Sequence, residues 1–523
     1  MLHTDRKINT INDIAIDSEK KFNDLIDRLS KQYMANIDWW VSEIASRNTN
    51  VCPLYKNIVH YQLNASYPKY RPLFLCLKNF FVYGYSCALL TYRWLVAKIQ
   101  SNRKQAINKP ITLVDMFIFN HSFDDNHNYN DRYYGRMHNY LSSAEKKSFY
   151  YNPTFQDSIK DVWKTFKHLR QSRQQFLLKE DYLKLRDYLW AFLYPMRAFK
   201  FFPKKTLFEG KDITPIIRHA FWSTLFSNGS IEGLLKYRFA KRLKEKNIPI
   251  RLIVDWFENQ SIDKGSNLGF RKYYPNEPII GYVCGLASRY YLGLTPTAGE
   301  QKAKVTPHQA AVCGCKILET QKKLSPATNF CLAPAFRMQY LYDEQKFYPN
   351  EDKFTILVPL PLYHENCTDI LKPLSQFTLQ FIDKRPVEFL IKSHPGMINF
   401  SKLFKHFELD KKPNFHQITG DWIELLEKSH LVISNGSSVC LESLSKGIPC
   451  IIAEDKNKIS QNSIPLEIDN RMWRICHSAS DLNKIMPELL SIDQKTKDQI
   501  AKKIREDYIE TVSEEKTRAF LQL

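Results

Sequence analysis

The spacing of hydrophobic residues divides the chain into a helical first part and a longer part in which strands alternate with helices. Between residues 12 and 105, apolar residues recur at intervals of three and four, which predicts helices. The first run that predicts a buried strand is ITLVDMFIF, residues 111–119. Amphipathic helix is predicted again over residues 155–202, where we interpret the interleaved basic residues as a solvated face.

From about residue 212 the pattern becomes typical of α/β proteins. Two helices are predicted, around 213–227 and over 231–246, and three short apolar runs after them predict strands. A loop is predicted between the first and the second of these strands. The runs are IPIRLIVDW (248–256), PIIGYVCG (278–285) and QAAVCG (309–314).

A second α/β pattern follows a less regular stretch, in which we place an interdomain linker near residues 340–352. Its strands are apolar on both faces and alternate with helices, which indicates a parallel, doubly wound sheet. The predicted strands are FTILVPLPL (354–362), VEFLIKSH (387–394), NFHQIT (414–419), HLVIS (430–434), IPCIIAE (448–454) and MWRICH (472–477). The predicted helices are 368–382, 398–408, 421–429, 438–446 and 479–493.

The 523 residues exceed what a single core accommodates, so several domains are expected. The patterning predicts an α/β protein with two Rossmann-like domains and a helical N-terminal extension. The regions are 1–105, helical and part of the first domain; 106–345, the first Rossmann-like domain; 350–495, the second; and 496–523, a charged helix that packs back on the first domain.

Polar side chains follow two strands of the second domain at the points where those strands end. FLIKSHPGM places Lys392 and His394 after one strand, and Pro395 fixes the turn there. HLVISNGSS places residues 435–438 (Asn435, Gly436, Ser437 and Ser438) after another. Ligands bind beyond the carboxyl ends of parallel strands, so we expect both segments at one crevice. A cation, an imidazole and two hydroxyls there suit a phosphate group.

The Ser437–Ser438 pair has two interpretations. The hydroxyls and the start of the next helix suit a metal-free phosphate site. Alternatively, Ser438 begins a capping box with Glu442 near the third helical position. The chain has neither GxGxxG nor GxxxxGK[ST], which argues against dinucleotide binding and against P-loop ATP hydrolysis.

Charge and cysteine content narrow the partners and the compartment. The formal net charge is +20, from 75 Lys and Arg against 55 Asp and Glu, which favours anionic partners. No nucleic-acid-binding module is recognisable, so nucleic acid is not expected among them. Most of the 11 cysteines lie in apolar runs, which indicates reduced thiols and the cytoplasm. Cys313 and Cys315 form CxC without a second pair, so no zinc site is expected.

Two segments bear on the membrane. The N-terminal residues are polar and carry no apolar core, so no signal peptide is expected. Residues 72–99 are very apolar, but Lys78 and Arg93 bracket only 14 uncharged residues, too few to span a bilayer. This segment is predicted to be a buried helix, with a helix lying on a membrane as the alternative.

The two motifs carry a resemblance to a known group of enzymes. IKSHPGM, followed by VISNGSSVCLESLSKGIPCIIAED, resembles the HP and Ser-Ser motifs of GT-B glycosyltransferases that build bacterial surface polysaccharides, notably the Kdo and sialic-acid transferases that use CMP-sugars. VDWFENQSIDKG, PIIGYVCGLASRYYLG and VTPHQAAVCG are similar to segments of the same group with lower specificity. Where relatives often carry a histidine in GYxHG, this chain has Cys284.

The resemblance implies a GT-B fold with two domains facing a cleft, the first for the acceptor and the second for the donor nucleotide. It implies that His394 and Pro395 contact the cytidine monophosphate, that Ser437 and Ser438 contact its phosphate, and that Glu442 contacts the ribose. Lys392 is expected to add a phosphate contact, beside Asn435 and Gly436 of the same loop.

Sugar transfer also needs a carboxylate that acts on the acceptor hydroxyl or on the sugar. Asp255 and Glu258 end the strand RLIVDW, at the expected edge of the cleft, and are the first candidates together with His394 as catalytic groups. A second set is Asp124, Asp125 and Asp131, in the polar loop after the first strand. Arg289 and Arg218 are candidates to pair with a sugar carboxylate.

The expected function is the transfer of an acidic sugar (Kdo, a sialic acid or another nonulosonic acid) from a CMP-sugar to a surface glycan such as lipopolysaccharide, O-antigen or capsule. No metal and no other cofactor is expected, and a lipid-linked acceptor and the anionic inner face of the cytoplasmic membrane are the expected partners. A CDP-glycerol or CDP-ribitol polyol-phosphate transferase of the same fold is one alternative. A non-catalytic glycan-binding protein is another.

Overall fold

The structure is a computed structural model that describes the chain except for residues 1–10, 65–71, 102–106, 157, 286–289, 344–350, 395 and 398–399. The described chain forms two compact units. Unit 1 comprises the described residues up to Cys284, together with Tyr291–Arg337 and Val512–Leu523. Unit 2 comprises Met338–Thr511 together with Gly285 and Tyr290. The expected fold class, α/β with two Rossmann-like units and a helical N-terminal region, is confirmed.

Unit 1 is built on a six-stranded sheet in which every neighbouring pair is parallel. Its order is β2-β1-β5-β6-β7-β8, so the chain reverses its direction of travel between β1 and β5. Leu113 on β1 pairs with Ile253 on β5. The strands are β1 (Ile111–Ile118), β2 (Phe149–Phe155), the short hairpin β3 (Leu207–Phe208) and β4 (Lys211–Asp212), β5 (Ile250–Trp256), β6 (Ile279–Val283), β7 (Gln309–Val312) and β8 (Phe330–Leu332).

Helices precede and surround this sheet, as the three-and-four spacing predicts. The helices of unit 1 before the linker are α1 (Ile11–Ser30), α2 (Ile37–Trp40), α3 (Glu43–Ser46), α4 (Leu54–Asn64), α5 (Pro72–Ile99), α6 (Ser143–Lys146), α7 (Val162–Gln171), α8 (Lys179–Tyr182), α9 (Leu185–Phe192), α10 (Tyr194–Ala198), α11 (Thr214–Thr224), α12 (Asn228–Glu245), α13 (Ser261–Tyr273), α14 (Ala298–Lys302) and α15 (Cys315–Leu324).

The loop predicted after β5 is wrong, because residues 261–273 form α13. Two glycines in this helix lower its intrinsic helix propensity and obscured it in the sequence. They are needed for packing, since a Cβ at Gly265 would lie 2.0 Å from the carbonyl oxygen of Gly233 on α12. The backbones of α12 and α13 therefore approach each other more closely than any larger residue permits.

Three further predictions in unit 1 need correction. Residues 155–202 are not one amphipathic helix but end β2 and then form α7 to α10, which are short. Strand β8 (Phe330–Leu332) was not predicted, because three residues are too few to show a pattern. The segment 72–99 is one helix, α5, but it is not buried all round: Leu90 and Val96 are buried, whereas Phe81 is 72% exposed. Among the described residues, no helix is long and apolar enough to cross a membrane.

Unit 2 is built on a second sheet with the path β10-β11-β9-β13-β14-β15 and with β12 paired to the outer side of β11. All pairs are parallel except the short β10–β11 hairpin. The parallel strands thus lie in the order 3-2-1-4-5-6, which is the Rossmann order. The strands are β9 (Phe354–Pro359), β10 (Phe381–Ile382), β11 (Arg385–Lys392), β12 (Phe415–Ile418), β13 (Leu431–Ser434), β14 (Cys450–Ala453) and β15 (Trp473–Cys476).

The six parallel strands predicted for this unit are confirmed. They could be predicted because each is a short apolar run with no competing pattern. Their side chains form one core, centred on Ile356, Phe389 and Ile433, which are fully buried. The helices that cover it are α16 (His364–Ser375), α17 (Phe400–His406), α18 (Trp422–Glu427), α19 (Val439–Ser445), α20 (Ala479–Leu490) and α21 (Gln494–Tyr508).

The last helix, α22 (Glu514–Phe520), belongs to unit 1, whereas α21 packs against α19 in unit 2. Phe520 of α22 contacts the rings of Tyr282 and Phe336, each with centroids 5.5 Å apart. Arg518 binds Glu145 at 2.8 Å. The chain therefore leaves unit 1 at Arg337, builds unit 2, and returns to complete unit 1.

Candidate functional site

The topology of unit 2 brings both sequence motifs to one edge of its sheet. Strands β11 and β13 flank β9 and run parallel to it, so their carboxyl ends lie on the same side. Lys392 ends β11 and Ser434 ends β13, and the Ser434 hydroxyl donates to the Pro359 carbonyl oxygen at the end of β9 (2.8 Å). The strand order reverses between β9 and β13, which is the position where open α/β sheets bind ligands.

The loop after β13 is held in one backbone conformation. Gly436 has φ +63°, a left-handed conformation that favours glycine, and a Cβ there would lie 3.0 Å from Asn366 Nδ2. Asn435, just before it, is 1% exposed, and its Oδ1 accepts no hydrogen bond. A buried acceptor without a donor is costly in a core and is common at binding sites.

The two serine hydroxyls of this loop make different contacts, and Ser437 Oγ accepts from the backbone N–H of Val439, the first residue of α19, at 3.5 Å. Ser438 is the N-cap residue of α19, but its side chain makes no capping hydrogen bond. Its hydroxyl donates instead to Glu442 Oε1 at 3.1 Å. The Ser437 carbonyl accepts from the Ser463 hydroxyl at 2.7 Å. The capping-box interpretation is therefore wrong, and the hydroxyl of Ser438 is oriented by a carboxylate.

Glu442 is the centre of a buried hydrogen-bond network within unit 2. It is 2% exposed, and its Oε2 accepts from the Tyr340 hydroxyl and from Trp422 Nε1 (3.2 Å). Trp422 Nε1 also lies 3.1 Å from the Tyr340 hydroxyl, and the Lys446 ammonium lies 5.7 Å from the Tyr340 ring centroid. Three donors thus occupy Glu442, which leaves room for one more on a carboxylate with about four acceptor sites.

The segment after β11 supplies the cationic and imidazole groups. Lys392 Nζ donates to the Gly420 carbonyl oxygen at 2.9 Å. The backbone N–H of Gly396 donates to His394 Nδ1 at 3.0 Å. Because Nδ1 accepts this bond, a neutral His394 carries its proton on Nε2. Pro395 lies outside the described residues.

Sequence reasoning missed several residues that support this edge, among them Tyr340, Trp422 and Glu454. Tyr340 and Trp422 come from distant parts of the chain, and no local pattern marks them. Glu454 directly follows β14, where a polar residue after a buried strand was a visible signal. It accepts from the Ser460 hydroxyl (2.7 Å) and from the backbone N–H of Gln461 (2.9 Å), and burial raises its pKa.

The first candidate carboxylates lie in unit 1, at the end of β5 beside the point where that sheet reverses direction. Glu258 follows the strand, is half-buried, and accepts from Trp256 Nε1 at 3.0 Å. Asp255 lies inside β5 and is 1% exposed, so it does not reach the strand's open end as expected. Asp255 is buried because α13, a helix that was not predicted, covers it. Asn267 Nδ2 of α13 donates to Asp255 Oδ2 at 2.7 Å.

Asp255 belongs to a buried acidic cluster with Asp115 and Asp263, in which one carboxylate oxygen from each residue lies within 4.8 Å of the other two. Such oxygens could ligate a hard cation. Lys236 Nζ already binds Asp115 at 2.5 Å, and burial together with the neighbouring carboxylates raises the pKa of Asp255 well above its ordinary value. Burial also raises the pKa of Asp263 to about 7. The Lys236 ammonium thus already supplies one positive charge beside the three carboxyls.

In the second set of candidate carboxylates, Asp124 and Asp131 form hydrogen bonds within the protein. Asp124 is exposed and accepts from the backbone N–H and the Nδ2 of Asn128, which lowers its pKa. Asp125 is exposed beside it. Asp131 accepts from the Tyr151 hydroxyl (2.9 Å) and from two backbone N–H groups, while burial raises its pKa to about 6. Asp124 and Asp131 therefore shape the loop after β1.

Of the two candidate arginines, the structure describes Arg218, and it also describes Cys284. Arg218 Nε donates to the Pro203 carbonyl oxygen at 3.3 Å, and its guanidinium lies over the Phe202 ring. Arg289 lies outside the described residues. Cys284 is 3% exposed, so an imidazole at this position in a relative would replace a buried thiol. None of the described cysteines forms a disulfide.

Comparison with known proteins gives structural likenesses only. No family model matches the chain, and no curated protein does. A putative UDP-N-acetylglucosamine 2-epimerase from Listeria monocytogenes is 13% identical, with coverage of 79% of this chain and 95% of that one and a TM-score of 0.47. MnaA from S. aureus, solved with UDP, is 12% identical (79% and 95%, TM-score 0.44), and HepE from Anabaena, in complex with UDP, is 9% identical (79% and 98%, TM-score 0.42). TM-scores below 0.5 do not indicate a shared function.

Proposed function

We propose that this protein is a glycosyltransferase that binds a nucleotide-activated sugar at the carboxyl edge of the unit 2 sheet. The observation that carries the proposal is the strand order 3-2-1-4-5-6, which sets the Lys392–His394 segment and the loop 435–438 on either side of β9. Both motifs of the sequence resemblance follow strands that end at the edge where open α/β sheets bind ligands, which supports the proposal. The donor nucleotide is proposed to be CMP and the sugar an acidic one.

The groups at this edge suit a diester phosphate that becomes a leaving group. Ser437 and Lys392 are proposed to bind the phosphate oxygens, and Ser438 to bind them when its hydroxyl proton turns from Glu442 to the phosphate. Nε2–H of His394 is proposed to donate to the oxygen that leaves with CMP. In the transfer, the anomeric carbon forms a bond to the acceptor oxygen while its bond to the phosphate oxygen breaks. The bonding electrons depart with CMP, whose charge the Lys392 ammonium neutralises and the His394 N–H stabilises by a hydrogen bond. Glu442 is proposed to bind the ribose with its remaining acceptor site.

Glu258 is the carboxylate proposed to take the proton of the acceptor hydroxyl. Asp255 is an equal candidate on sequence, but it is buried away from an acceptor, and its raised pKa favours the protonated form, which cannot accept a proton. Glu258 is half-buried and follows β5, where the unit 1 sheet reverses direction. The acceptor is proposed to be a bacterial surface glycan, and the place of action the inner face of the cytoplasmic membrane.

Nucleotide binding tests the donor site without assuming any reaction. Isothermal titration of the purified chain with CMP, CDP, UDP and GDP should give the tightest binding for CMP. The Ser437→Ala/Ser438→Ala double variant should lose at least tenfold in affinity, whereas Ser401→Ala, an exposed serine on α17 of the same unit, should bind as the wild type. Preference for UDP would overturn the CMP assignment, and no binding of any nucleotide would overturn the site.

Transfer itself is tested with CMP-sugars and a glycan acceptor in excess chelator. We expect turnover to persist, because cationic and hydroxyl groups rather than a metal are proposed to hold the phosphate. Complete dependence on a divalent ion would overturn that part. Turnover of CDP-glycerol or CDP-ribitol in place of a CMP-sugar would instead identify a polyol-phosphate transferase.

A further inference from the structure

Unit 1 exposes an unusual number of large apolar side chains on two neighbouring segments, α5 and residues 185–202. Phe81 and Met196 are each 72% exposed, and Ile99 is 69% exposed. Leu185, Leu189 and Leu193 follow one another at intervals of four and are all about half exposed, so they form a row along one side of α9 and its C-terminal end. Single exposed apolar residues are ordinary, but a contiguous group on neighbouring helices marks an interaction surface.

The two segments lie side by side and run in opposite directions. The Tyr83 hydroxyl donates to the Phe192 carbonyl oxygen at 2.8 Å. Further along α5, Trp94 Nε1 donates to the Leu183 carbonyl oxygen at 3.2 Å and Lys98 Nζ to that of Asp181 at 3.0 Å. The outward sides of α5 and of residues 185–202 therefore form one continuous face of unit 1, which we call the α5–α10 face.

The charges on this face have a single sign. Residues 72–99 contain no Asp or Glu, and Asp187 is the only acidic residue between Lys184 and Lys205. Asp187 is 1% exposed and binds Arg242 at 2.7 Å. The exposed cations on or beside the face are Lys78, Lys98, Lys184, Arg186, Lys200, Lys204 and Lys205.

The neighbouring carboxylates offset one of these cations. Asp181 binds Arg170 at 2.7 Å, and Asp38 binds both Arg197 at 2.9 Å and Lys200 at 3.1 Å. Lys200 is therefore paired, and Asp181 and Asp38 are both engaged by cations of unit 1. The face presents aromatic and aliphatic side chains with basic residues among them, which is the composition of proteins that lie on anionic membranes.

We propose that the α5–α10 face seats unit 1 on the surface of an anionic lipid bilayer, with Phe81, Ile99 and Met196 inserted at the level of the headgroups. The basic residues would contact the lipid phosphates around them. In this arrangement α5 and residues 185–202 lie along the membrane surface, and the attachment is reversible. The proposal rests on the exposed residues of unit 1 and holds whether or not the proposed sugar transfer is correct.

Vesicle co-sedimentation of the full chain tests the proposal. We expect binding to vesicles of phosphatidylcholine with phosphatidylglycerol, and much weaker binding to phosphatidylcholine alone or at high salt, because screening weakens the contact with lipid phosphates. Phe81→Ser/Met196→Ser should reduce binding at least tenfold. Lys204→Glu/Lys205→Glu should reduce it by roughly fivefold or more for each charge, since each basic residue near an anionic surface adds about that factor.

Two matched variants in unit 2 control for general changes in hydrophobicity and charge. Leu466→Ser removes a leucine that is 75% exposed, and Lys502→Glu reverses an exposed lysine on α21. Both should bind vesicles as the wild type does. All four variants are at exposed positions, so each should retain the wild-type melting temperature and the wild-type affinity for CMP.

Three results would overturn the proposal. The first is no binding to anionic vesicles. The second is binding that the unit 2 variants reduce as much as the unit 1 variants do. The third is a wild-type dimer that Phe81→Ser/Met196→Ser converts to a monomer without any loss of vesicle binding, which would assign the face to a second copy of the chain.

Discussion

His394 illustrates how one backbone contact sets the chemistry of a side chain. The N–H of Gly396 donates to Nδ1, so the neutral ring holds its proton on Nε2, which can donate to an acceptor such as a phosphate oxygen. The sequence placed His394 at the end of a strand and in a family-like motif. It did not show the tautomer, because that depends on a turn two residues further on.

Replacing His394 should therefore separate chemistry from folding. We expect His394→Ala to lower kcat by a factor of about 100 to 10,000, the usual contribution of a proton donor, while the melting temperature stays near that of the wild type. Steady-state kinetics with the preferred donor and a thermal unfolding curve measure both. His406→Ala, at an exposed position on α17, is the matched control. Unchanged turnover in His394→Ala would favour a different leaving-group donor, and unchanged biological activity without turnover would favour a binding protein.

Glu442 differs from His394 in that its carboxylate holds the neighbouring side chains in place. Glu442→Gln would turn an amide N–H₂ toward the Ser438, Tyr340 or Trp422 donors, whichever way the amide is oriented. We expect the free energy of unfolding of unit 2 to fall by about 1–3 kcal/mol and CMP affinity to fall with it. Urea titration followed by tryptophan fluorescence measures the first and calorimetry the second. Glu424→Gln, exposed on α18, should change neither. Loss of CMP affinity alone would show that Glu442 contacts the ligand and does not support the loop.

Strands were predicted better than helices in this chain, for a physical reason. Buried parallel strands are short apolar runs, and β9, β11, β13 and β14 stand out in the sequence as such. Helix α13 does not, because its buried face carries Gly265, Ser266 and Gly269, where small size matters more than hydrophobicity. Missing α13 led directly to the misplacement of Asp255, since the side chain that the sequence put at an open strand end lies beneath that helix.

The acidic cluster under α13 should make stability depend on pH in an unusual direction. Asp263 has a pKa of about 7 in the folded protein, against about 3.9 in an unfolded chain. The folded state thus binds more protons between those values, so its stability is greatest at the acidic end of this range and is lost as pH rises through about 7. Asp255, with its pKa also raised, adds to the same trend.

Asp255→Asn should reduce this loss of stability, because it removes a buried carboxyl that keeps its proton in the folded protein and loses it in the unfolded chain. The hydrogen bond from Asn267 is kept. The slope of unfolding free energy against pH should become shallower by up to about 1.4 kcal/mol per pH unit. Urea titrations on both sides of neutral pH measure it, with Asp410→Asn, an exposed carboxyl in unit 2, as the control. An unchanged slope would mean that Asp255 is already ionised in the folded protein.

The two units do not simply follow each other along the chain, because unit 2 is inserted in the sequence of unit 1, between Arg337 and Val512. The sequence predicted most parallel strands of both units, though not β2 or β8, and it predicted that residues 496–523 pack back on the first domain. Within that segment α21 packs in unit 2, and the helix that belongs to unit 1 is α22. Its place is fixed by Phe520, which is 7% exposed against Tyr282 and Phe336, and by Leu521, which is fully buried.

Removing the Phe520 ring should destabilise unit 1 selectively. We expect Phe520→Ala to cost about 3–5 kcal/mol, the usual range for a buried aromatic side chain. Hydrogen exchange measured by mass spectrometry should show faster exchange in peptides of β6 and β7 and unchanged exchange in peptides of β9 and β13. Leu523→Ala, which is 40% exposed, is the control. Equal acceleration in both units would mean that they unfold together.

The return of α22 to unit 1 also has a consequence for biosynthesis. The ribosome synthesises Met338–Thr511 before it synthesises Phe520 and Leu521. While the whole of the second sheet is translated, unit 1 therefore lacks α22, the helix that packs on Tyr282 and Phe336. We expect unit 2 to mature first, and the unfinished aromatic surface of unit 1 to be the part of the nascent chain that chaperones protect.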